Sequence, residues 1–133
     1  MEIGKIFTFA GAHWLPTYDG KCNQCHGHEW KLKVVLRKRI DKKTGMVLDF
    51  SILKQIVKKY IIDKLDHTII NDVLDNPTAE NLCVWIWEKL MIEGQLKGIH
   101  KISVWETSDS VSTLDVEGML SILITNIEKY VKS

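Results

Sequence analysis

With 133 residues, the chain can bury a sizeable hydrophobic core but is too short for two ordinary domains, so we expect one domain over residues 1–133. The 18 basic and 17 acidic residues are finely mixed and leave a formal charge of +1, which does not indicate a nucleic-acid or membrane partner. Met1 is not followed by an export signal, and no apolar run approaches membrane-spanning length, so we expect a cytoplasmic protein.

The first third of the chain predicts two strands joined by a loop. Residues 2–13 are rich in Ile and Phe and end in small residues before His13. From His28 onward, hydrophobic and charged residues alternate with a period of two, which predicts a long, half-buried strand. Because side chains two apart on a strand point to the same side, the rings of His26 and His28 are expected to face one way.

The middle of the chain changes to helical periodicity. From Asp49 a single stripe predicts a helix; it consists of Ile52, Leu53, Ile56, Val57, Tyr60 and Ile61. Pro77-Thr78 predicts the start of a second helix, with Thr78 as its N-cap and Cys83 as a core thiol. Trp85 and Trp87 fall off the buried stripe of this helix, which predicts an apolar surface facing another subunit.

The last third predicts two strands and a C-terminal helix. Residues 99–107 read as a strand in which Glu106 ends an otherwise apolar face, so this carboxylate needs a partner. A short strand is expected at 114–116, and residues 119–131 have helical spacing. We expect this helix to pack against the body or a neighbouring subunit through Leu120, Leu123, Ile127 and Val131.

The stretch from Cys22 to His28 is the densest in reactive groups, with two thiols and two imidazoles in seven residues. If the first two strands pair, His13 would join His26 and His28. Three nitrogen ligands with an open fourth position are typical of catalytic zinc. The spacing therefore predicts a zinc site on these three histidines.

This stretch has two other interpretations. The letters from Cys22 through Cys25 to His26 match the pattern for covalent attachment of c-type haem, but such proteins mature outside the cytoplasm and no export signal is present. A structural zinc site needs a second pair of ligands, which Cys83 with His100 does not supply. A zinc- or haem-binding module without enzymatic activity remains the alternative to an enzyme.

Six motifs occur together and in order: Ala12-His13, Cys22-x3-His26-Gly-His28, Gly45-Met-Val-x-Asp49-Phe50, Leu65-Asp-His67, Pro77-Thr-x-Glu-Asn81 and Trp105-Glu-Thr107. This set resembles the 6-pyruvoyl-tetrahydropterin synthase and 6-carboxytetrahydropterin synthase family over nearly the whole chain. The resemblance implies an α+β tunnelling fold, in which a four-stranded antiparallel sheet carries two helices on one face. The predicted C-terminal helix would be an addition to that fold, because it extends beyond the family's usual ending.

The resemblance also implies an assembly and a set of site residues. Typical members are homo-hexamers, dimers of trimers whose sheets join into a barrel and whose active sites lie at subunit interfaces. One zinc ion per subunit would be bound by three histidines; Cys22 would be the general base and Asp66 with His67 the proton relay. Glu106 would hold the pterin ring, and the pterin pocket would also include Thr107, Glu80 and Thr78.

Within this family, the short spacing between Cys22 and His26 resembles the bacterial branch that serves queuosine synthesis. That branch converts 7,8-dihydroneopterin triphosphate to 6-carboxytetrahydropterin, acetaldehyde and triphosphate. The runner-up is 6-pyruvoyl-tetrahydropterin synthase, which eliminates triphosphate. Cys25 stands where members of the family usually carry no thiol, and we expect it to be dispensable.

Overall fold

The computed structural model describes residues 1–133 as one mixed sheet with two helices packed on one face and a third helix at the C-terminus. The strands are β1 (Glu2–His13), β2 (His26–Arg37), β3 (Thr68–Ile69), β4 (Ile99–Thr107) and β5 (Ser110–Asp115). The helices are α1 (Phe50–Val57), α2 (Ala79–Ile92) and α3 (Val116–Lys132). A π-helical turn, Lys58–Ile62, continues α1 into a last short turn, Asp63–Leu65.

The sheet has the strand order β3-β1-β2-β4-β5, and its four long strands are antiparallel to their neighbours. The predicted α+β arrangement with two helices on one face and an additional C-terminal helix is confirmed. The sheet has five strands rather than four, because the two residues of β3 lie parallel to the outer edge of β1. The pairing of Gly11 with Thr68 brings the segment that follows α1 to this edge.

The core lies between the helices and one face of the sheet. On β2 that face consists of Trp30, Leu32, Val34 and Leu36, all completely buried, as the period-two pattern predicted. The same parity continues into His28 and His26, so the histidines prolong the core face toward the start of the strand. On β1 a Cβ at Gly11 would lie only 2.9 Å from Ile70 Cδ1, which explains the small residue at this crossing.

Side-chain caps begin both core helices. The Asp49 carboxylate accepts a hydrogen bond from the Ser51 backbone N–H, and the Thr78 hydroxyl accepts one from the Asn81 N–H, so the predicted cap at Thr78 is confirmed. Cys83 is 2% exposed and is a core thiol, as predicted. Burial raises the pKa of this thiol to about 12.

The prediction for the tryptophans of α2 is wrong for one of them. Trp87 is buried, at 5% exposure, whereas Trp85 is half-buried. The connection between α2 and β4 folds back over the helix, and Leu96, Ile99 and Val116 line the same pocket as Trp87. A helix covered by both a sheet and a returning loop buries more than one stripe of side chains. A prediction from a single buried stripe therefore left Trp87 on the exposed side.

The C-terminal elements begin earlier than predicted. β5 starts at Ser110 rather than near residue 114, and α3 starts at Val116 because the Asp115 carboxylate accepts a hydrogen bond from the Gly118 N–H at 2.8 Å. Of the four side chains predicted to pack on the body or on a neighbouring subunit, Leu123 is half-buried against the body, whereas Leu120, Ile127 and Val131 are exposed in one copy of the helix. The buried residue of α3 is Met119, near the start of the helix, because the helix leaves the sheet at the edge strand β5. None of the helices combines the length and apolar composition needed to cross a bilayer.

Candidate metal centre and active site

The pairing of β1 with β2 brings together the three predicted metal ligands. His13 lies directly opposite His26 in the register, and His28 lies two residues further along the same face of β2. The Nε2 atoms of His13 and His26 are 3.1 Å apart. The ring centroid of His28 lies 5.3 Å from that of His13 and 4.8 Å from that of His26. Three imidazoles from two strands therefore surround one point.

Backbone carbonyls fix the protonation of two of these rings. His13 Nδ1 donates a hydrogen bond to the Pro77 carbonyl at 2.8 Å, and His26 Nδ1 donates one to the Gln24 carbonyl at 2.7 Å. A carbonyl only accepts, so each neutral ring carries its proton on Nδ1 and its lone pair on Nε2. Two lone pairs that face each other at 3.1 Å repel unless a cation lies between them. This arrangement of neutral imidazoles held by carbonyls is typical of metal ligands.

The third ring supplies an independent test of whether a metal fits. His28 Nε2 is buried, and Glu106 Oε1 lies 3.2 Å away without forming a well-directed hydrogen bond. Burial lowers the pKa of His28, and the neighbouring rings of His26 and His13 lower it further against the opposing effect of Glu106. A ring that is kept neutral with an unsatisfied nitrogen suits a metal ligand. The residues present therefore fit zinc.

Glu106 completes the cluster from β4. One of its carboxylate oxygens, Oε1, lies 3.1 Å from His13 Nε2 and 3.2 Å from His28 Nε2. The donor atoms of these three residues and His26 all lie within 4.8 Å of one another. The carboxylate that ends an apolar strand face thus lies beside the imidazole cluster and is close enough to be a fourth ligand. The family resemblance assigns this residue to the pterin ring.

Asp66 and His67 lie at the outer edge of β1. Asp66 Oδ1 accepts a hydrogen bond from the Ala10 N–H at 2.9 Å, and the His67 N–H donates to the Ala10 carbonyl. His67 Nε2 is 3.7 Å from Asp66 Oδ2, and the ring is 82% exposed. The residue has a φ of 56°, a left-handed conformation that is uncommon for a side chain of this kind and often marks functional sites.

These two residues line a groove of about 760 Å³ whose lining includes His28 of the metal cluster as well as Thr8, Ala10 and Glu29. Alternation places those three strand residues on the face of the sheet that carries no helices, opposite the face of the imidazoles. Asp66 and His67 thus line the same groove as His28 but do not belong to the metal cluster.

The two thiols lie in the connection before β2. Cys22 is half-buried in a short 3₁₀ turn, where its carbonyl accepts a hydrogen bond from the Leu15 N–H at 2.8 Å. Cys25 is exposed and immediately precedes β2. Cys22 belongs neither to the metal cluster nor to the groove of Asp66 and His67. One copy of the chain therefore does not assemble the implied base and relay.

The three remaining predicted site residues are spread over two elements. Thr107 follows Glu106 at the end of β4, where its hydroxyl donates to the Asp109 carboxylate at 2.9 Å. The Thr78 hydroxyl is engaged in capping α2, and Glu80 is exposed in the first turn of that helix. Only Thr107 adjoins a residue of the metal cluster.

Two supporting groups were missed from the sequence. The Asn71 side chain accepts a hydrogen bond from the Trp14 N–H and donates one to the Trp14 carbonyl, at 3.0 and 2.9 Å, which fixes the chain directly after His13. Pro77 was identified only as a helix start, whereas its carbonyl orients the His13 ring. Both contacts link residues far apart in the chain, and no local pattern signals them.

The chain is similar in sequence to known proteins over most of its length. The family model for 6-pyruvoyl tetrahydropterin synthase matches residues 2–117. The 6-carboxy-5,6,7,8-tetrahydropterin synthase of Synechocystis sp. is 39% identical over 116 residues, covering 83% of this chain and 89% of that protein. The dihydroneopterin monophosphate aldolase of Pyrococcus furiosus is 38% identical over 104 residues, covering 77% of this chain and 86% of that protein.

A solved structure is similar over most of its length. The 6-pyruvoyl tetrahydropterin synthase of Caenorhabditis elegans superposes with a TM-score of 0.77 at 27% identity, covering 86% of this chain and 94% of that chain. This likeness confirms the predicted tunnelling fold. Relatives of similar identity are named for different reactions, so identity alone does not select one.

Proposed function

The chain belongs to the 6-pyruvoyl tetrahydropterin synthase family, and from that premise we propose that it is a zinc-dependent 6-carboxy-5,6,7,8-tetrahydropterin synthase. It would convert 7,8-dihydroneopterin triphosphate and one water molecule to 6-carboxytetrahydropterin, acetaldehyde and triphosphate, a step toward queuosine. The observation that carries the proposal is the cluster of three imidazoles with their Nε2 atoms directed at one another. The Synechocystis relative and the short spacing from Cys22 to His26 favour the carboxy branch over the pyruvoyl branch.

His13, His26 and His28 would bind one zinc ion per subunit. Bound there, zinc would supply a Lewis acid that lowers the pKa of the hydroxyl groups on the substrate side chain. The chain's own contribution is to keep the rings neutral and fixed, through the Pro77 and Gln24 carbonyls behind His13 and His26.

Glu106 would recognise the pterin ring, because a carboxylate can accept hydrogen bonds from an exocyclic amine and a ring N–H at the same time. In the structure its Oε1 atom lies against His13 and His28 instead. Binding of the pterin would therefore require the Glu106 side chain to turn away from the imidazoles. Its 31% exposure shows that solvent reaches this carboxylate.

Replacing Glu106 with glutamine separates these two roles. We expect zinc content to stay unchanged and kcat/KM to fall about 10- to 150-fold, the equivalent of losing charge-assisted hydrogen bonds worth roughly 1.5–3 kcal/mol. Elemental analysis and steady-state kinetics measure both. Glu93→Gln is the matched control, because Glu93 is exposed and pairs only with Lys89. Loss of zinc in Glu106→Gln would instead make this residue a ligand.

Cys22 would act as the general base, and Asp66 with His67 would relay the proton. The Ala10 N–H holds one oxygen of Asp66 and leaves the other facing His67. Since Cys22 of one copy belongs neither to the groove of Asp66 and His67 nor to the imidazole cluster, a complete site would take groups from two copies. This separation supports a homo-hexamer, a dimer of trimers with active sites at subunit interfaces.

Product analysis tests the proposal. The zinc-loaded protein is incubated with 7,8-dihydroneopterin triphosphate and, in parallel, with the monophosphate, and the pterins are identified by mass spectrometry. We expect 6-carboxytetrahydropterin from the triphosphate. Accumulation of 6-pyruvoyl-tetrahydropterin would favour the runner-up, and turnover of the monophosphate alone would favour the reaction for which the Pyrococcus relative is named. No turnover with zinc bound would favour a non-enzymatic binding module.

A further inference from the structure

The C-terminal helix α3 lies almost entirely outside the family match, which ends at residue 117, and most apolar side chains of its second half face solvent, whereas Met119 is buried and Leu123 packs on the core. From Ile124 to the end of the chain every residue is exposed. The exposed fractions of Leu120, Ile127 and Val131 are 53%, 62% and 76%. Most helical stability in proteins comes from packing of an apolar face, so the exposed second half of α3 would gain stability from a partner.

The spacing of these side chains specifies what kind of partner fits. One face repeats at alternating intervals of four and three residues and consists of Val116, Leu120, Leu123, Ile127 and Tyr130. This period of 3.5 is that of a seam between two helices, in which the side chains of one helix fill the gaps of the other. We call these five residues the α3 seam. Ile124 and Val131 flank it and widen its apolar surface.

The charges of α3 favour a second copy over a lipid surface. The helix carries two acidic and two basic residues, Glu117, Glu128, Lys129 and Lys132, so it has no net charge with which to bind anionic lipids. Three of the four lie away from the seam, and only Glu117 flanks it. Two copies can therefore bring their seams together without rows of like charge facing each other.

We propose that α3 packs against α3 of a second copy of this chain through the α3 seam. This contact is separate from the family domain, because that domain ends where the helix begins. It would add an interface between copies that the pterin chemistry does not require. It would also account for the apolar residues that the body of the same copy leaves exposed.

Disulfide trapping tests the proposal directly. Ile127→Cys, on the seam, is compared with Thr125→Cys, on the opposite side, where the Thr125 hydroxyl donates to the Ser121 carbonyl. Both are made in a Cys22→Ser, Cys25→Ser background and oxidised with copper phenanthroline. We expect most of the Ile127→Cys chains, but only background amounts of Thr125→Cys, to run as covalent dimers on non-reducing gels. Equal trapping, or none in Ile127→Cys, would overturn the proposal.

A second measurement is independent of any contact between the family domains. Amide hydrogen exchange should show residues 120–131 protected in the wild-type protein and unprotected in Leu120→Glu/Ile127→Glu, with Thr125→Glu resembling wild type. Unchanged protection in the double variant would overturn the proposal. So would binding of α3 to phosphatidylcholine–phosphatidylglycerol vesicles without trapping of Ile127→Cys, which would assign the seam to lipid.

Discussion

Replacing His28 with alanine should remove most of the zinc that the protein retains and abolish turnover. The His28 Nε2 atom is buried, lies 3.2 Å from Glu106 Oε1, and is one of the three imidazole nitrogens of the cluster. Loss of such a ligand should exceed the roughly 10- to 100-fold loss of metal affinity that follows removal of a group behind a ligand. Elemental analysis should find about one zinc per subunit in the wild-type protein and far less in the variant.

His100→Ala is the matched control for this prediction. His100 lies near the start of β4, where its Nε2 atom is 3.1 Å from Glu2 Oε1, and it does not belong to the metal cluster. We expect this variant to retain its zinc. Full retention of zinc in His28→Ala would contradict the assigned ligand set, and a Soret band in the purified protein would revive the haem interpretation.

Replacing Cys22 with alanine should lower kcat by about 10²- to 10⁴-fold, the usual contribution of a positioned general base. Zinc content should stay unchanged, because Cys22 is not part of the imidazole cluster. Cys25→Ala should retain the wild-type rate, since Cys25 is exposed before β2 begins. Kinetics of the two zinc-loaded variants decide between the thiols, and an equal loss of rate in both would show that the choice is wrong.

Thiol labelling verifies that both variants are folded. Burial raises the pKa of Cys83 to about 12, so its reactive thiolate is scarce at pH 8 and the thiol is sterically covered. Alkylation of the native protein at pH 8 should therefore modify up to two thiols, and each variant should lose at most one of these modifications. Labelling of Cys83 would show that a variant has opened its core.

The sequence predicted those parts of the fold that leave a local signal in the chain. β1 was predicted with its observed bounds, and β2 begins only two residues before its alternating pattern was first recognised, because period-two burial is visible within each strand. The two residues of β3 are held by pairing with Gly11, far away in the chain. No periodicity exists in so short a strand, so it could not be recognised.

The helical stripes predicted which side of each helix is apolar, but not which part of the molecule covers that side. Most of the α1 stripe is covered as predicted, but Ile52 is 45% exposed. Trp87 is covered by a returning loop, whereas the body of the same copy leaves Leu120, Ile127 and Tyr130 of the α3 seam exposed. An apolar stripe shows which side of a helix needs cover, but it does not identify the neighbour that supplies it.

The candidate site likewise contains features that local spacing predicts and features that depend on contacts between distant parts of the chain. Two of the three imidazoles are close in sequence, and His13 joins them through one strand pairing, so their convergence could be expected from spacing. The approach of Glu106 to the imidazoles depends on the packing of β4 beside β2, which its parity alone does not determine. The separation of Cys22 from Asp66 depends on the whole topology, and motifs do not carry that information.

The most direct test of the central claim is the stoichiometry of acetaldehyde release. The zinc-loaded wild-type protein is incubated with 7,8-dihydroneopterin triphosphate, and acetaldehyde is measured with a coupled alcohol dehydrogenase assay beside triphosphate and pterin. Cleavage of the carbon–carbon bond in the substrate side chain predicts one acetaldehyde and one triphosphate for each 6-carboxytetrahydropterin formed. Release of triphosphate without acetaldehyde would contradict the proposed reaction.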